Sequence, residues 1–148
     1  MTAYVALLRG VNVGGRGKVD MRELKRQIED LGCEDVRTYI NSGNVVFRDR
    51  RGAPTLTRLL EEALGRRVAV RSLADMQALC ARIPDGWTND KVQKSDVGFL
   101  LDEPGEELWN AQRKDLPPRY SHDWRGEVTV RNVNTVRKLR ELMEQLSR

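Results

Sequence analysis

The chain is poor in the residues that most often carry chemistry. One histidine, His122, and two cysteines, Cys33 and Cys80, serve 148 residues. The cysteines stand far apart, with no Cys-x-x-Cys partner, and read as two reduced, partly buried thiols. A zinc site would need both cysteines, the histidine and a carboxylate to converge without any ligand-pair spacing, so no metal is expected. No apolar run approaches the ~18 residues that cross a bilayer. The stretch Tyr4 to Leu8 is too short for the apolar region of a signal peptide, and Arg9-Gly10 ends it. A cytoplasmic protein without a membrane partner is the expectation. Catalytic signatures are missing too: there is no G-x-S-x-G, no H-E-x-x-H and no paired-carboxylate pattern. Ser121, His122 and Asp123 are adjacent, and a Ser-His-Asp triad needs separated chain positions brought together by the fold. Nothing implies a cofactor.

What the chain does contain is charge and a distinctive opening. It carries 26 basic and 22 acidic residues, net +4, with both signs interspersed. That balance permits a polyanionic partner without demanding one. The run from Tyr4 to Lys18 starts as a hydrophobic strand and empties into a loop holding four glycines, Arg9, Asn12, Arg16 and Lys18. Glycine lets backbone N–H groups approach an anion closely, and the cations supply charge.

A length of 148 residues is near the commonest domain size, so one compact unit is expected. Residues 3–9 have the near-continuous apolarity of a central strand. Asp20 and Glu23 are spaced as a capping box ahead of a helix with Met21, Leu24, Ile28 and Leu31 inward, stopped by Gly32. Val36 to Ile40 and Asn44 to Arg48 read as a hairpin about Asn41-Ser-Gly43. A helix from Thr55 or Thr57 to Gly65 and a strand from Val68 to Arg71 follow. This β-α-β-β-α-β order predicts a ferredoxin-like subdomain over 1–72. The rest, 73–148, reads as a smaller α/β subdomain packed on it. It holds a helix over Ala74–Ile83, a strand over Asp96–Leu101, a helix over Gly105–Arg113 with Glu106-Glu107 in its first turn, a strand over Glu127–Arg131, and a last helix capped by Asn134. The fold class is α+β.

Three stretches, YVALLRGVNVGG, DVRTYINSGNVVF and RNVNTVRKL, resemble the bacterial domain-of-unknown-function family numbered 1697. Asp85-Gly-Trp87, Lys94 to Val97 and Phe99-Leu100 look like one branch of it. The similarity runs in order along nearly the whole chain. It departs between Leu116 and Val128, where members of the family usually carry a longer stretch and this chain is compressed. The resemblance implies a two-part α+β fold with a ferredoxin-like first half. It implies no reaction.

Three loops are candidate binding sites for an anion. The first, from Gly10 to Lys18, offers Gly14 and Gly15 as backbone donors and Arg9, Arg16 and Lys18 as charge, with Asn12 alongside. It lacks the spacing of a P-loop, and a tight crossover with a solvated basic rim is the simpler reading. In the second, Ser42 and Asn44 at the hairpin turn either bond a ligand held by the first loop or only set the turn. The two loops are not assumed to meet. The third is the strand-to-helix junction with Arg131, Asn132, Asn134 and Lys138. A helix start with a cationic clamp suits an anion, although capping alone explains the asparagines. If a ligand site exists, Asn12 and Arg16 are expected to approach this junction.

The leading functional expectation is a non-enzymatic module binding a phosphate-bearing partner, a nucleotide or a nucleic acid. The alternatives are a small hydrolase or transferase acting on a phosphorylated metabolite, and a protein-interaction module, such as a homodimer formed through an exposed ferredoxin-like sheet. The aromatics Trp87, Trp109, Trp124 and Tyr120 read as core and covering, since no aromatic run of the RNA-recognition type lies on a central strand.

Overall fold

The computed structural model describes residues 1–10, 20–40 and 43–148. The first strand, β1 (Thr2–Leu8), is apolar at nearly every position because both of its faces are buried. Ala3, Val5 and Leu7 point to one core, Tyr4, Ala6 and Leu8 to another. On it are built α1 (Met21–Asp30), β2 (Glu34–Tyr39), β3 (Asn44–Asp49), α2 (Ala53–Leu64) and β4 (Val68–Ser72). The four strands form an antiparallel sheet in the order β2-β3-β1-β4, the ferredoxin-like arrangement. Leu24 and Ile28 of α1 and Leu56 and Leu60 of α2, each pair spaced one helical turn, close the core on one face.

The second half contributes α3 (Leu73–Arg82), β5 (Gln93–Leu100), β6 (Glu106–Gln112), β7 (Val128–Asn132) and α4 (Val133–Leu146). Strands β6-β5-β7 form a second antiparallel sheet. Helices α3 and α4 lie on the other face of the first sheet, where Met76, Leu79, Val136, Leu139 and Met143 meet Val5, Leu7, Val97 and Phe99 in one core. The sheet face that a ferredoxin-like homodimer would use is therefore already covered within the chain.

Four expectations about elements need correction. Glu106–Gln112 is a strand rather than a helix: residue by residue it pairs with β5, from Phe99 opposite Glu106 to Gln93 opposite Gln112. The turn before it is closed by Gly105 at φ +112°, a conformation glycine adopts readily. Asn132, not Asn134, caps α4, its side chain accepting the N–H of Thr135 at 3.0 Å. Helix α2 starts at Ala53, with Pro54 in its first turn, ahead of both threonines. At α1, Asp20 caps by accepting from the N–H of Arg22, while Glu23 bonds the Arg26 side chain and no box forms.

On the outer face of the second sheet, Trp109 stacks on Tyr120 and His122, and His122 meets Trp124 edge-on. His122 lies 3.5 Å from Glu107. Trp124 sits so close over Gly98 that a Cβ there would come within 2.6 Å of its ring. These aromatics cover the sheet, and Trp87 packs at the edge of the shared core.

Both cysteines are free and buried. Burial, then the Asp49 carboxylate, pushes the Cys33 thiol up to about 12. Asp49 is itself held down at about 2 because Arg51 donates to it from Nε, Nη2 and the backbone. Arg51 also reaches the carbonyl of Leu31, and its own carbonyl accepts from the Tyr4 hydroxyl. A carboxylate whose folded pKa lies below its unfolded value stabilises the fold above the unfolded pKa and loses that contribution as pH falls through the folded one. Acid unfolding followed by circular dichroism should therefore show stability falling between about pH 4 and pH 2. Asp49→Asn should remove on the order of 1–2 kcal/mol at neutral pH and flatten that fall. An unchanged acid transition in the variant would assign the fall to other groups.

Candidate functional site

The antiparallel pairing of β1 with β3 and β4 brings three chain segments to one end of the first sheet. Leu7 stands opposite Asn44 and Leu8 opposite Val68. The Leu8 N–H donates to the carbonyl of Gly43, and that of Arg9 to the carbonyl of Arg67. The hairpin turn and the exit of β1 thus lie side by side. Strand β7 of the second sheet reaches the same place: the Thr129 hydroxyl approaches the Leu8 carbonyl at 3.4 Å.

Arg131 is the centre of this junction. Its Nε donates to Oδ1 of Asn44 at 2.6 Å, Nη1 to the Thr129 hydroxyl at 2.8 Å and to the Val130 carbonyl at 2.9 Å, and Nη2 to the Leu8 carbonyl at 2.9 Å. The planar fork can serve several fixed acceptors at once, which an ammonium cannot. Burial lowers its pKa to about 10, so it stays cationic at neutral pH while surrounded by little water. Asn44 is fully buried and donates in turn to the Tyr39 carbonyl across the hairpin. The result is a rigid cationic floor beneath the ends of two loops.

A second layer of charge borders that floor. Arg66 donates to the Gly10 carbonyl at 3.1 Å. Arg67 donates to Glu61, Asp102 and Glu127 and to the Leu101 carbonyl. The Arg9 side chain pairs with Glu127.

Of the expected site residues, Arg9, Asn44 and Arg131 gather here. Asn132 is engaged as the cap of α4. Asn134 ties the helix to the preceding loop, donating to the Asn89 carbonyl and accepting from its N–H. Lys138 faces Glu141 along the helix surface at 3.6 Å. Asn12, Gly14, Gly15, Arg16, Lys18 and Ser42 lie outside the described residues, and so does the expected approach of Asn12 and Arg16 to Arg131. Sequence reasoning missed Arg66, Arg67, Glu127 and Thr129. Arg66-Arg67 had a usable signal: they precede the strand that runs antiparallel to β1, and so stand at its exit.

Elsewhere, a cleft of about 550 Å³ opens at the seam of the two sheets, between α2, β4, α3 and the turn joining β5 to β6. At its wall, Arg71 Nε donates to Glu106 at 2.8 Å and Nη2 to the carbonyls of Leu100 and Gly105, both at 3.0 Å. Among the described residues, no three of His, Cys, Asp and Glu gather to hold a metal ion, and no helix is long and apolar enough to cross a membrane.

No curated protein matches the chain. Among solved structures, the conserved bacterial protein SP0830 from Streptococcus pneumoniae is similar, with a TM-score of 0.75 and 26% sequence identity over 96% of this chain and 98% of that one. The family model described as protein of unknown function DUF1697 matches residues 1–119 and stops inside the compressed segment that follows Leu116. A match over far more than half of the chain shows that it belongs to the DUF1697 family.

Proposed function

We propose that the end of the first sheet binds a phosphate-bearing ligand, with the chain acting as a binding module rather than a catalyst. The observation that carries this reading is the convergence of the β1 exit, the start of β3 and β7 on one largely desolvated guanidinium, Arg131, at the end of a strand after which the sequence runs on to Arg16 and Lys18. A desolvated guanidinium and glycine-rich backbone both favour an anion over a neutral partner. The two helices covering the first sheet's second face remove the flat platform on which RNA-recognition domains of the same strand order stack bases. The ligand accordingly enters at the end of the sheet, which favours a mononucleotide or a single phosphate of a strand over a stacked run of bases.

The test is a thermal-shift screen against inorganic phosphate, mononucleotides and short DNA and RNA oligonucleotides. A ligand at about 100 times its dissociation constant stabilises by about 2.7 kcal/mol, which in a chain of this size raises the melting temperature by roughly 5–10 °C. The expected result is a shift with one of these classes that is lost in Arg16→Ala. A nucleic-acid ligand would add a steep loss of affinity with salt, shallower in Lys18→Ala. No shift with any class would make the glycine loop structural.

A further inference from the structure

We infer that a phosphate group of the ligand takes the position now held by the Glu127 carboxylate between Arg9 and Arg67, so that Glu127 is an internal anion displaced on binding; this rests on the anion-binding reading above. One oxygen of Glu127 accepts from Arg9 and the other accepts from Nη1 of Arg67 at 2.9 Å. The two arginines are neighbours across the sheet, the Arg9 N–H donating to the Arg67 carbonyl at 3.0 Å. Their guanidinium groups therefore meet one anion from two adjacent strands, at the exit of β1 into the glycine loop. Two oxygens shared between two guanidinium groups is also the arrangement a phosphate adopts.

The partners of the two arginines differ. Arg67 also holds Glu61 at 3.1 Å and Asp102 at 2.8 Å, so it stays in place when Glu127 leaves. Among the described residues Arg9 has Glu127 as its one side-chain partner. The bridge opens at Arg9, which is 47% exposed, and Glu127 is 33% exposed, so the exchange needs no opening of the core. Glu127 precedes β7, whose Thr129 and Arg131 both donate to the Leu8 carbonyl, and its own carbonyl accepts from the N–H of Leu101. Its backbone is anchored, so the exchange has only to break the two contacts of its side chain with Arg9 and Arg67. An internal anion of this kind lowers affinity for weak external anions and reserves the site for a more highly charged one, because any ligand must outcompete it.

The experiment is a calorimetric titration of inorganic pyrophosphate into the wild-type chain, Glu127→Gln, Arg9→Gln and the double variant. The expected result is about fivefold tighter binding in Glu127→Gln, weaker binding in Arg9→Gln, and no gain from Glu127→Gln once Arg9 is replaced. Wild-type binding with equal or weaker binding in Glu127→Gln overturns this inference and leaves the anion-binding reading standing. Arg9→Gln is exposed and provides a second decision should Glu127→Gln fold poorly: affinity equal to wild type overturns the inference as well. Absence of pyrophosphate binding in both the wild type and Glu127→Gln overturns the inference, and the reading falls with it when no phosphate, mononucleotide or oligonucleotide shifts the melting temperature.

Discussion

Arg71→Met is expected to cost about 3–5 kcal/mol of folding stability, lowering the melting temperature by roughly 10 °C. Arg71 stands on β4 of the first sheet and grips the turn between β5 and β6 of the second. The Arg71 side chain is 12% exposed and that of Glu106 10%, so this is a buried pair joining the two sheets. Among the described residues, removing the guanidinium leaves the Glu106 carboxylate with Arg82 alone, at 3.8 Å and mostly exposed. Gly105 keeps a donor for its carbonyl from the Leu100 N–H, but the other acceptors that Arg71 served lose it. A buried carboxylate without its partner is the dominant cost. It follows that replacing both ends should hurt less than replacing one. Arg71→Met with Glu106→Leu is expected to recover most of the loss, because the charge that must be kept from water has gone. Urea unfolding of both variants checks this. A single variant costing under about 1 kcal/mol, or a double variant no better than the single, would mean that the sheets are held by their apolar core alone.

Arg131 gives the second large effect, and its ranking is the informative part. Arg131→Met removes donors to the Leu8 carbonyl, Asn44 Oδ1 and the Thr129 hydroxyl, and is expected to cost roughly 2 kcal/mol. Arg131→Lys should cost more, about 3 kcal/mol, although it keeps the charge. The lysine carries the same desolvation that pulls the arginine to about 10, yet one ammonium cannot serve acceptors spread over β1, β3 and β7. Chemical denaturation of the two variants side by side settles the order. A lysine variant as stable as wild type would show that charge alone, and not the fork, is what the junction needs.

The first half of the fold was readable because pattern, caps and turns agreed there. The apolar run of β1, Gly65 at the end of α2 and the hairpin about Gly43 all pointed to the same answer. Glu106–Gln112 failed for a physical reason. Its Glu, Leu, Ala and Gln residues have good helix propensity, and pairing along the full length of β5 overrides it. The turn residues Asp102-Glu-Pro-Gly105 were the better guide, since they join two strands too closely for a helix to intervene. At the last helix, two asparagines stood two residues apart, and composition alone did not say which one caps.

The site was half readable. Arg9, Asn44 and Arg131 were nominated from their loops, but their meeting depends on strand order. In a sheet ordered β2-β3-β1-β4 the end of β1 must lie beside the start of β3 and the start of β4, so the hairpin and the β1 exit share one end of the sheet. The contribution of β7 was beyond sequence reasoning, because nothing local to Thr129 or Arg131 says that the second sheet docks there. Glu127 was hidden for the same reason: its partners are 118 and 60 residues away in the chain.

The most direct test of the central claim is amide chemical-shift mapping of the isotope-labelled chain during titration with inorganic pyrophosphate. The account predicts saturable shifts confined to residues 9–18, Gly43, Asn44, Arg66, Arg67 and residues 127–132, with the seam cleft around Arg71 and Arg82 unaffected. Shifts centred on that cleft, or no saturable shift anywhere, would contradict it.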